Sequence, residues 1–174
     1  FIEPDSDKAA VQLFIKGRSL VRVEGKQGEA IAELSRAIEK FDRHAQAYER
    51  RAKTSFLLKD YHNAMRDYTK ALNIDPTIPT AYYGRARIHM LNEHYEDAIK
   101  DFDLAIKRSV ALESVHWKAR RLKGECHFKL LQYKEAEFEL KLFTSRKFKD
   151  DDTINGWKRR SLYIYGLSLM ELQK

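Results

Sequence analysis

The chain has 174 residues, of which 43% are hydrophobic and 34% charged, and its formal net charge is +7. This length suits one domain or one stretch of a repeat array. No segment approaches the roughly 18 uninterrupted apolar residues of a membrane helix, so no membrane insertion is expected. The first residues lack the basic-then-apolar order of a secretion signal.

The single cysteine, Cys126, excludes an internal disulfide and a cysteine-based zinc site. It suits a reducing compartment, so the expected location is cytoplasmic. Seven glycines and three prolines leave few helix breakers, and charged residues are numerous enough to cover solvated helix faces. The composition therefore favours an all-α fold.

An internal repeat runs through the chain with a period of 34 residues. Each copy has an alanine, a large apolar residue four positions later, and a second alanine three positions after that. These triplets are Ala30/Leu34/Ala37, Ala64/Tyr68/Ala71 and Ala98/Phe102/Ala105. Residues at this spacing share one helix face, and the small ones let another helix approach closely.

A second pattern precedes each triplet, in which a large residue stands four positions before a small one. The pairs are Leu13/Gly17, Tyr48/Ala52, Tyr82/Ala86 and Arg120/Gly124, the last with its large apolar position lost. Asp60 and Asn92 stand between the two halves, where helix caps are favoured. Each copy is therefore predicted to contain two helices.

A fourth copy is centred on Ala136, which follows Ala98 by 38 residues. The longer spacing predicts an insertion of about four residues, placed near residues 109–116. A last, rather apolar helix is expected from about Trp157 to Leu172.

A two-helix repeat of this length, with small and large residues at these places, resembles the tetratricopeptide repeat (TPR). The resemblance implies an all-α fold, a right-handed α-solenoid of antiparallel helix pairs, in a single domain over residues 1–174. The expected units are 8–42, 44–76, 78–111 and 115–149. Residues 154–174 form either a capping helix or the first helix of a truncated fifth unit.

No catalytic constellation accompanies the repeat. The chain has no glycine-rich phosphate loop, no nucleophile elbow and no His-Glu-x-x-His helix. The histidines are scattered at about one per helix, without a metal-binding spacing. They are His44, His62, His89, His94, His116 and His127. The sequence predicts no enzyme, no metal and no cofactor.

Resemblance to the family implies that the first helices line a concave groove for a peptide or helix of another protein. Arg18, Lys53 and Arg87 each follow the small residue of a first helix and form one predicted row. The full set of predicted groove residues is Phe14, Arg18, Glu49, Arg50, Lys53, Tyr83, Arg87, Arg121 and Glu125. Basic heads beside aromatic rings suit an acidic or aromatic-containing segment, within a larger multiprotein complex.

One subgroup of the family holds the C-terminal carboxylate of heat-shock chaperones with a Lys-Asn-Asn-Lys-Arg clamp. This chain keeps none of the five residues. The corresponding positions hold Phe14, Arg18, Arg50, Thr80 and Gly84. The departure argues against chaperone tails as the partner.

Two other functions remain open from the sequence. The first is nucleic-acid binding by the basic surface of residues 117–149, which would weaken steeply with salt. The second is self-association through the apolar C-terminal helix, with the chain serving as a homo-oligomerisation module.

The repeat phase predicts where extra volume cannot be accommodated. Replacing Ala64 or Ala98 by Leu overpacks the contact between paired helices, at an expected cost of about 1 to 3 kcal/mol in unfolding free energy. Replacing Lys70 by Ala on the opposite face is the control, with an expected change of about 0.5 kcal/mol or less. Thermal melts that leave both leucine variants at the wild-type midpoint would show that the assigned phase is wrong.

Overall fold

The computed structural model describes residues 4–149 and 151–174, and these residues form nine α-helices and no strand. The helices are α1 (Pro4–Leu20), α2 (Gln27–Lys40), α3 (Ala45–Leu57), α4 (Tyr61–Ile74), α5 (Pro79–Leu91), α6 (Tyr95–Arg108), α7 (Ser114–Lys129), α8 (Tyr133–Ser145) and α9 (Asp152–Leu172). The predicted all-α repeat is confirmed. Among the described helices, none combines the length and the apolar character needed to cross a membrane.

The chain divides into two compact units, one ending at Arg85 and the other beginning at Ala86. In the first unit α1 packs on α2, α2 on α3, and α3 on α4. In the second unit α6 packs on α7, α7 on α8, and α8 on α9. The predicted insertion corresponds to the loop between α6 and α7, where Leu112 is 89% exposed.

The alanine triplets form the buried helix faces, as the spacing predicts. Ala30, Leu34 and Ala37 of α2 are completely buried. A Cβ atom added to Gly17 of α1 would lie 2.7 Å from Leu34 Cγ, so a larger residue would push the two helices apart. In the second unit, a Cβ on Gly124 would lie 2.8 Å from Leu140 Cγ.

A buried carboxylate recurs three residues after the first alanine of each second helix. These acids are Glu33, Asp67, Asp101 and Glu139, each at most 6% exposed. Arg51 of α3 binds Asp67 of α4 through two hydrogen bonds, with Nε to Oδ2 at 2.7 Å and Nη2 to Oδ1 at 2.9 Å. This bidentate geometry supplies the charged partner that a desolvated carboxylate requires.

A hydrogen bond between a basic side chain and a buried carboxylate also links two other helix pairs. Lys16 of α1 donates from Nζ to Glu33 Oε1 of α2 at 2.6 Å, and this hydrogen bond is the main cause that lowers the pKa of the Glu33 carboxyl. In the second unit, Lys123 of α7 donates to Glu139 Oε1 of α8, also at 2.6 Å. An acid–base contact therefore accompanies the close approach of small residues in three helix pairs.

Three turns between the helices of a pair share one backbone conformation. Each has a residue other than glycine at positive φ, namely Lys59 (62°), Glu93 (59°) and Leu131 (60°). The residue that follows occupies the N-cap position of the next helix. The carboxylate of Asp60 accepts the Asn63 N–H at 3.2 Å, so the predicted cap at Asp60 is confirmed.

The predicted cap at Asn92 is wrong. The residue equivalent to Asp60 is His94, which occupies the N-cap position of α6 without a side-chain hydrogen bond to the helix. Asn92 lies two residues earlier, before the residue at positive φ, where its N–H still donates to the Ile88 carbonyl at the end of α5. Cap preference favours asparagine, but the turn geometry decides which residue is placed there.

The positive φ of Lys59 predicts a gain in stability from glycine. Replacing Lys59 by Gly removes the steric cost of the left-handed conformation and is expected to raise the unfolding free energy by about 0.5 to 1 kcal/mol. The matched control is Lys70→Gly, an exposed lysine within α4, where the same change should cost about 1 kcal/mol. Urea unfolding measures both, and effects of the same sign would contradict this account of the turn.

The Arg51–Asp67 contact predicts that the free energy of unfolding falls strongly when only one of the two side chains is removed. Asp67→Ala leaves the Arg51 guanidinium without its acid between two helices, at an expected cost of about 3 kcal/mol or more. Replacing both residues, Arg51→Met with Asp67→Leu, should restore most of that loss because no charge then remains buried. A double variant less stable than Asp67→Ala in urea unfolding would show that the side chains do more than neutralise each other.

Candidate partner-binding site

A basic cleft of about 420 Å³ lies in the first unit, beside the C-terminal end of α1 and one face of α3. Its lining residues are Arg18, Ser19, Val21, Arg22, Arg50 and Lys53. Four of these six carry a positive charge and none is acidic. Three of the four cations, Arg18, Arg50 and Lys53, belong to the predicted groove set, and Arg22 was not singled out by the repeat pattern.

The cations of the cleft differ in how they are held. Arg50 Nε lies 3.4 Å from Glu49 Oε2, so part of its charge is compensated within α3. The Arg18 guanidinium lies over the Phe14 ring, 5.6 Å from its centroid, a cation–π contact that orients it without neutralising it. Arg18 and Arg22 are exposed and form no ion pair with a carboxylate of the described chain. They are therefore suited to bind an anion from outside.

Two of the predicted groove residues are part of the interior. Phe14 is 7% exposed and belongs to the hydrophobic core of the first unit, where its ring lies 4.7 Å from that of His44. Glu49 is 4% exposed. Burial leaves both side chains little surface to offer a partner, and their roles here are packing and charge compensation.

Tyr83 and Arg87 lie one turn apart on α5, and both are half-buried. Tyr83 belongs to the first compact unit and Arg87 to the second. Their binding role stays a prediction.

Helix α9 covers the last two predicted groove residues, Arg121 and Glu125. Glu125 is 4% exposed and accepts hydrogen bonds from Arg121 Nη1 at 2.9 Å and from Arg160 Nη2 of α9 at 3.1 Å. The Arg121 guanidinium stacks on the Trp157 ring of α9, 4.8 Å from its centroid. In this arrangement the fourth pair presents these two charges to α9 and not to a partner.

The basic stretch of residues 117–149 is partly used inside the second unit. Arg120 and Lys123 both bind Glu139, and Lys123 Nζ also lies 2.7 Å from Asp103 Oδ1. The guanidinium of Arg146 lies over the Trp117 ring, 4.4 Å from its centroid. The lysines that remain exposed are Lys129, Lys134, Lys141, Lys147 and Lys149. The external positive charge is therefore smaller than the sequence count suggests.

Cys126 is a core residue, as the sequence predicts. Its side chain is completely buried, and burial raises the pKa of the thiol to about 12. The thiol stays protonated at neutral pH, and so it lacks the thiolate form that nucleophilic chemistry needs. Nδ1 of the neighbouring His127 donates a 2.7 Å hydrogen bond to Oε1 of Gln132.

One cluster of potential metal ligands was not expected from the sequence. One ring nitrogen each of His89 and His94 and one carboxylate oxygen of Asp97 lie within 4.8 Å of one another. The spacing along the chain does not place them on one helix face, which is why the pattern argued against a metal site. The turn between α5 and α6 brings them together.

Several apolar side chains of α9 are exposed. Leu162, Tyr163 and Met170 are 52%, 68% and 62% exposed. Self-association through this helix stays a prediction.

Comparison with known proteins identifies the repeat. Tetratricopeptide repeat profiles match residues 45–78 and 83–140, which together make up more than half of the chain. Among curated protein sequences, no relative matches.

Several solved structures share the fold. The first TPR of Spaghetti (RPAP3), bound to the HSP90 peptide SRMEEVD, has 21% identity and a TM-score of 0.65, over 72% of this chain and 95% of that one. YrrB, described as a TPR protein with an unusual peptide-binding site, has 24% identity and a TM-score of 0.65, over 78% of this chain and 64% of that one. The Arabidopsis OM64 TPR domain has 22% identity and a TM-score of 0.63, over 69% of this chain and 98% of that one.

These similarities agree with the nine-helix architecture of the described residues and with the recurring alanine triplets. The chain therefore belongs to the tetratricopeptide repeat family.

Proposed function

We propose that this chain is a non-enzymatic scaffold that binds an acidic segment of another protein, with the basic cleft of the first unit as its anchor point. The observation that carries the proposal is the set of four cations around one cleft, two of which, Arg18 and Arg22, form no ion pair with an acid among the described residues. By contrast, Arg51, Lys123 and Arg160 bind carboxylates of the chain itself.

The cleft has the size and chemistry for carboxylate side chains. A volume of about 420 Å³ falls within the usual range of ligand pockets. Arginine offers planar, paired donors to a carboxylate, and such charge-assisted hydrogen bonds are about twice as strong as neutral ones. An extended peptide with two or more acidic residues can place one of them between Arg18 and Lys53.

The family and its structures support a protein partner. TPR domains are generally interaction modules, and the RPAP3 domain is bound to an acidic peptide of HSP90. This chain has Thr80 and Gly84 where the chaperone clamp has its final cations. We therefore propose an acidic internal segment of a different protein, in a cytoplasmic multiprotein complex, in place of a chaperone tail.

Charge reversal in the cleft tests the proposal. The probe is a fluorescein-labelled peptide rich in glutamate with one phenylalanine, measured by fluorescence anisotropy beside a matched peptide with glutamine in place of each glutamate. Arg18→Glu combined with Arg22→Glu should weaken binding of the acidic peptide by roughly tenfold or more, because each shielded contact contributes about 1.5 to 3 kcal/mol. The melting temperature should stay close to wild type, since both side chains are exposed.

The matched control is Lys134→Glu combined with Lys141→Glu, which makes the same charge change on α8. This variant should bind the acidic peptide as wild type does. A single-stranded oligonucleotide, measured at two salt concentrations, tests the nucleic-acid alternative, because phosphate binding falls steeply with salt. Loss of binding in the α8 variant with retention in the cleft variant would overturn the proposal in favour of the basic surface of residues 117–149.

A further inference from the structure

The turn between α5 and α6 has the same backbone conformation as two other turns of the chain, but its side chains form different hydrogen bonds. All three turns close with the same backbone hydrogen bond of 2.9 Å. The donor and acceptor residues are Asp60 and Ser55, His94 and His89, and Gln132 and His127. With their shared positive φ, these bonds make the three turns equivalent position by position. Side chains at equivalent positions of the three turns can therefore be compared directly.

In the other two turns, the side chain after the positive-φ residue is satisfied. Gln132 Oε1 lies 2.7 Å from Nδ1 of His127. Asp60 accepts a hydrogen bond from the backbone N–H of Asn63 and another from its side-chain amide, at 3.2 and 2.6 Å. Each of these polar groups has its partner within the turn.

In the α5–α6 turn, both corresponding residues are histidine and neither satisfies the other. His94 makes no capping hydrogen bond. Nδ1 of His89 is buried without a hydrogen-bond partner, although the equivalent atom of His127 is paired. Nε2 of His89 lies 3.8 Å from Oδ2 of the buried Asp101. A buried polar atom without a partner among the described residues calls for an explanation, and a bound ligand would supply one.

We propose that His89, His94 and Asp97 form a binding site for a divalent transition-metal ion of the zinc class. A ring nitrogen of each histidine and a carboxylate oxygen of Asp97 lie within 4.8 Å of one another. Two imidazoles and one carboxylate are a donor set that Zn²⁺ accepts, with a water molecule completing a tetrahedron. Magnesium and calcium prefer oxygen donors throughout.

The geometry requires only a small closure. Zn–N and Zn–O distances of about 2.1 Å place tetrahedral donors about 3.4 Å apart, so the three groups must approach by about 1.5 Å at most. His94 and Asp97 are exposed and can rotate. The competing ion pair of Asp97 with Lys100, at 3.5 Å, is on the surface and weak.

Asp101 lies 3.8 Å from Nε2 of His89 and would become a positioning residue if this distance shortened to a hydrogen bond. Metal-binding histidines commonly direct their second ring nitrogen to a carboxylate, which fixes the tautomer and makes the ligating nitrogen more basic. With Nε2 of His89 facing Asp101, Nδ1 is the nitrogen left for the ion. The ion would link the last turn of α5 to the first turn of α6.

Calorimetric titration with ZnCl₂ and visible absorption with CoCl₂, on the full chain without a histidine tag, test this site. Wild type should bind one ion per chain, and the bound cobalt should absorb as a tetrahedral complex. His94→Gln and Asp97→Asn should each weaken Zn²⁺ binding at least tenfold. The control is His62→Gln, an exposed histidine of α4, which should leave the affinity unchanged.

His94→Gln carries a second, independent readout. This substitution recreates the pairing of Gln132 with His127, so Nδ1 of His89 gains a partner, and the melting temperature without metal should rise while zinc affinity falls. Absence of saturable binding by wild type, or unchanged affinity in His94→Gln, would overturn the proposal. An equal loss of affinity in His62→Gln would overturn it as well, since binding would then not be specific to this turn.

Discussion

The pairing of a buried carboxylate with a cation from the neighbouring helix is the interaction on which the rest of this structure depends. Asp67 lies on the same helix as Ala64, three residues later, so the close approach that alanine permits also removes water from the carboxylate. A carboxylate in that position is costly unless a cation reaches it, and Arg51 does so with two hydrogen bonds. Sliding one helix along the other would break this pairing, so the contact fixes the register of the pair.

This use of charge divides the basic residues into two groups. Lys16, Arg51 and Lys123 neutralise internal acids and hold helices together. Arg18, in the last turn of α1, and Arg22, just after this helix, are exposed and form no ion pair with an acid among the described residues. A net charge of +7 therefore says little by itself about binding. The cations available to a partner are those that do not already bind carboxylates of the chain.

The alanine periodicity was sufficient to predict the helices and the buried faces of α2, α4 and α6, since small residues at this spacing allow two helices to pack closely. The acids Glu33, Asp67, Asp101 and Glu139 follow the same period and could have been found from it. They were missed because a charged residue on a helix is normally assigned to the solvent. Recurrence at a constant distance from a buried alanine was the available signal.

Other features of the structure could not be predicted from the repeat period. The burial of Arg121 and Glu125 depends on α9, whose Arg160 and Trp157 come from a segment where the repeat has already broken down. The proximity of His89, His94 and Asp97 depends on the turn between α5 and α6. The residue at positive φ in this turn is Glu93, and because it is not a glycine, the sequence did not indicate the left-handed conformation. Local preferences identified Asp60 as a cap, but they placed the second cap at Asn92 because the turn could not be located.

Those turns bear on how the chain acquires its structure. None of Lys59, Glu93 and Leu131 prefers the left-handed conformation on its own, so the local sequence does not encode a bend there. An isolated pair of helices would spend much of its time with the connection extended. At these three turns the bend becomes favourable only when both helices have packed, so closure of the turn is coupled to burial and we expect the two helices to form cooperatively during folding.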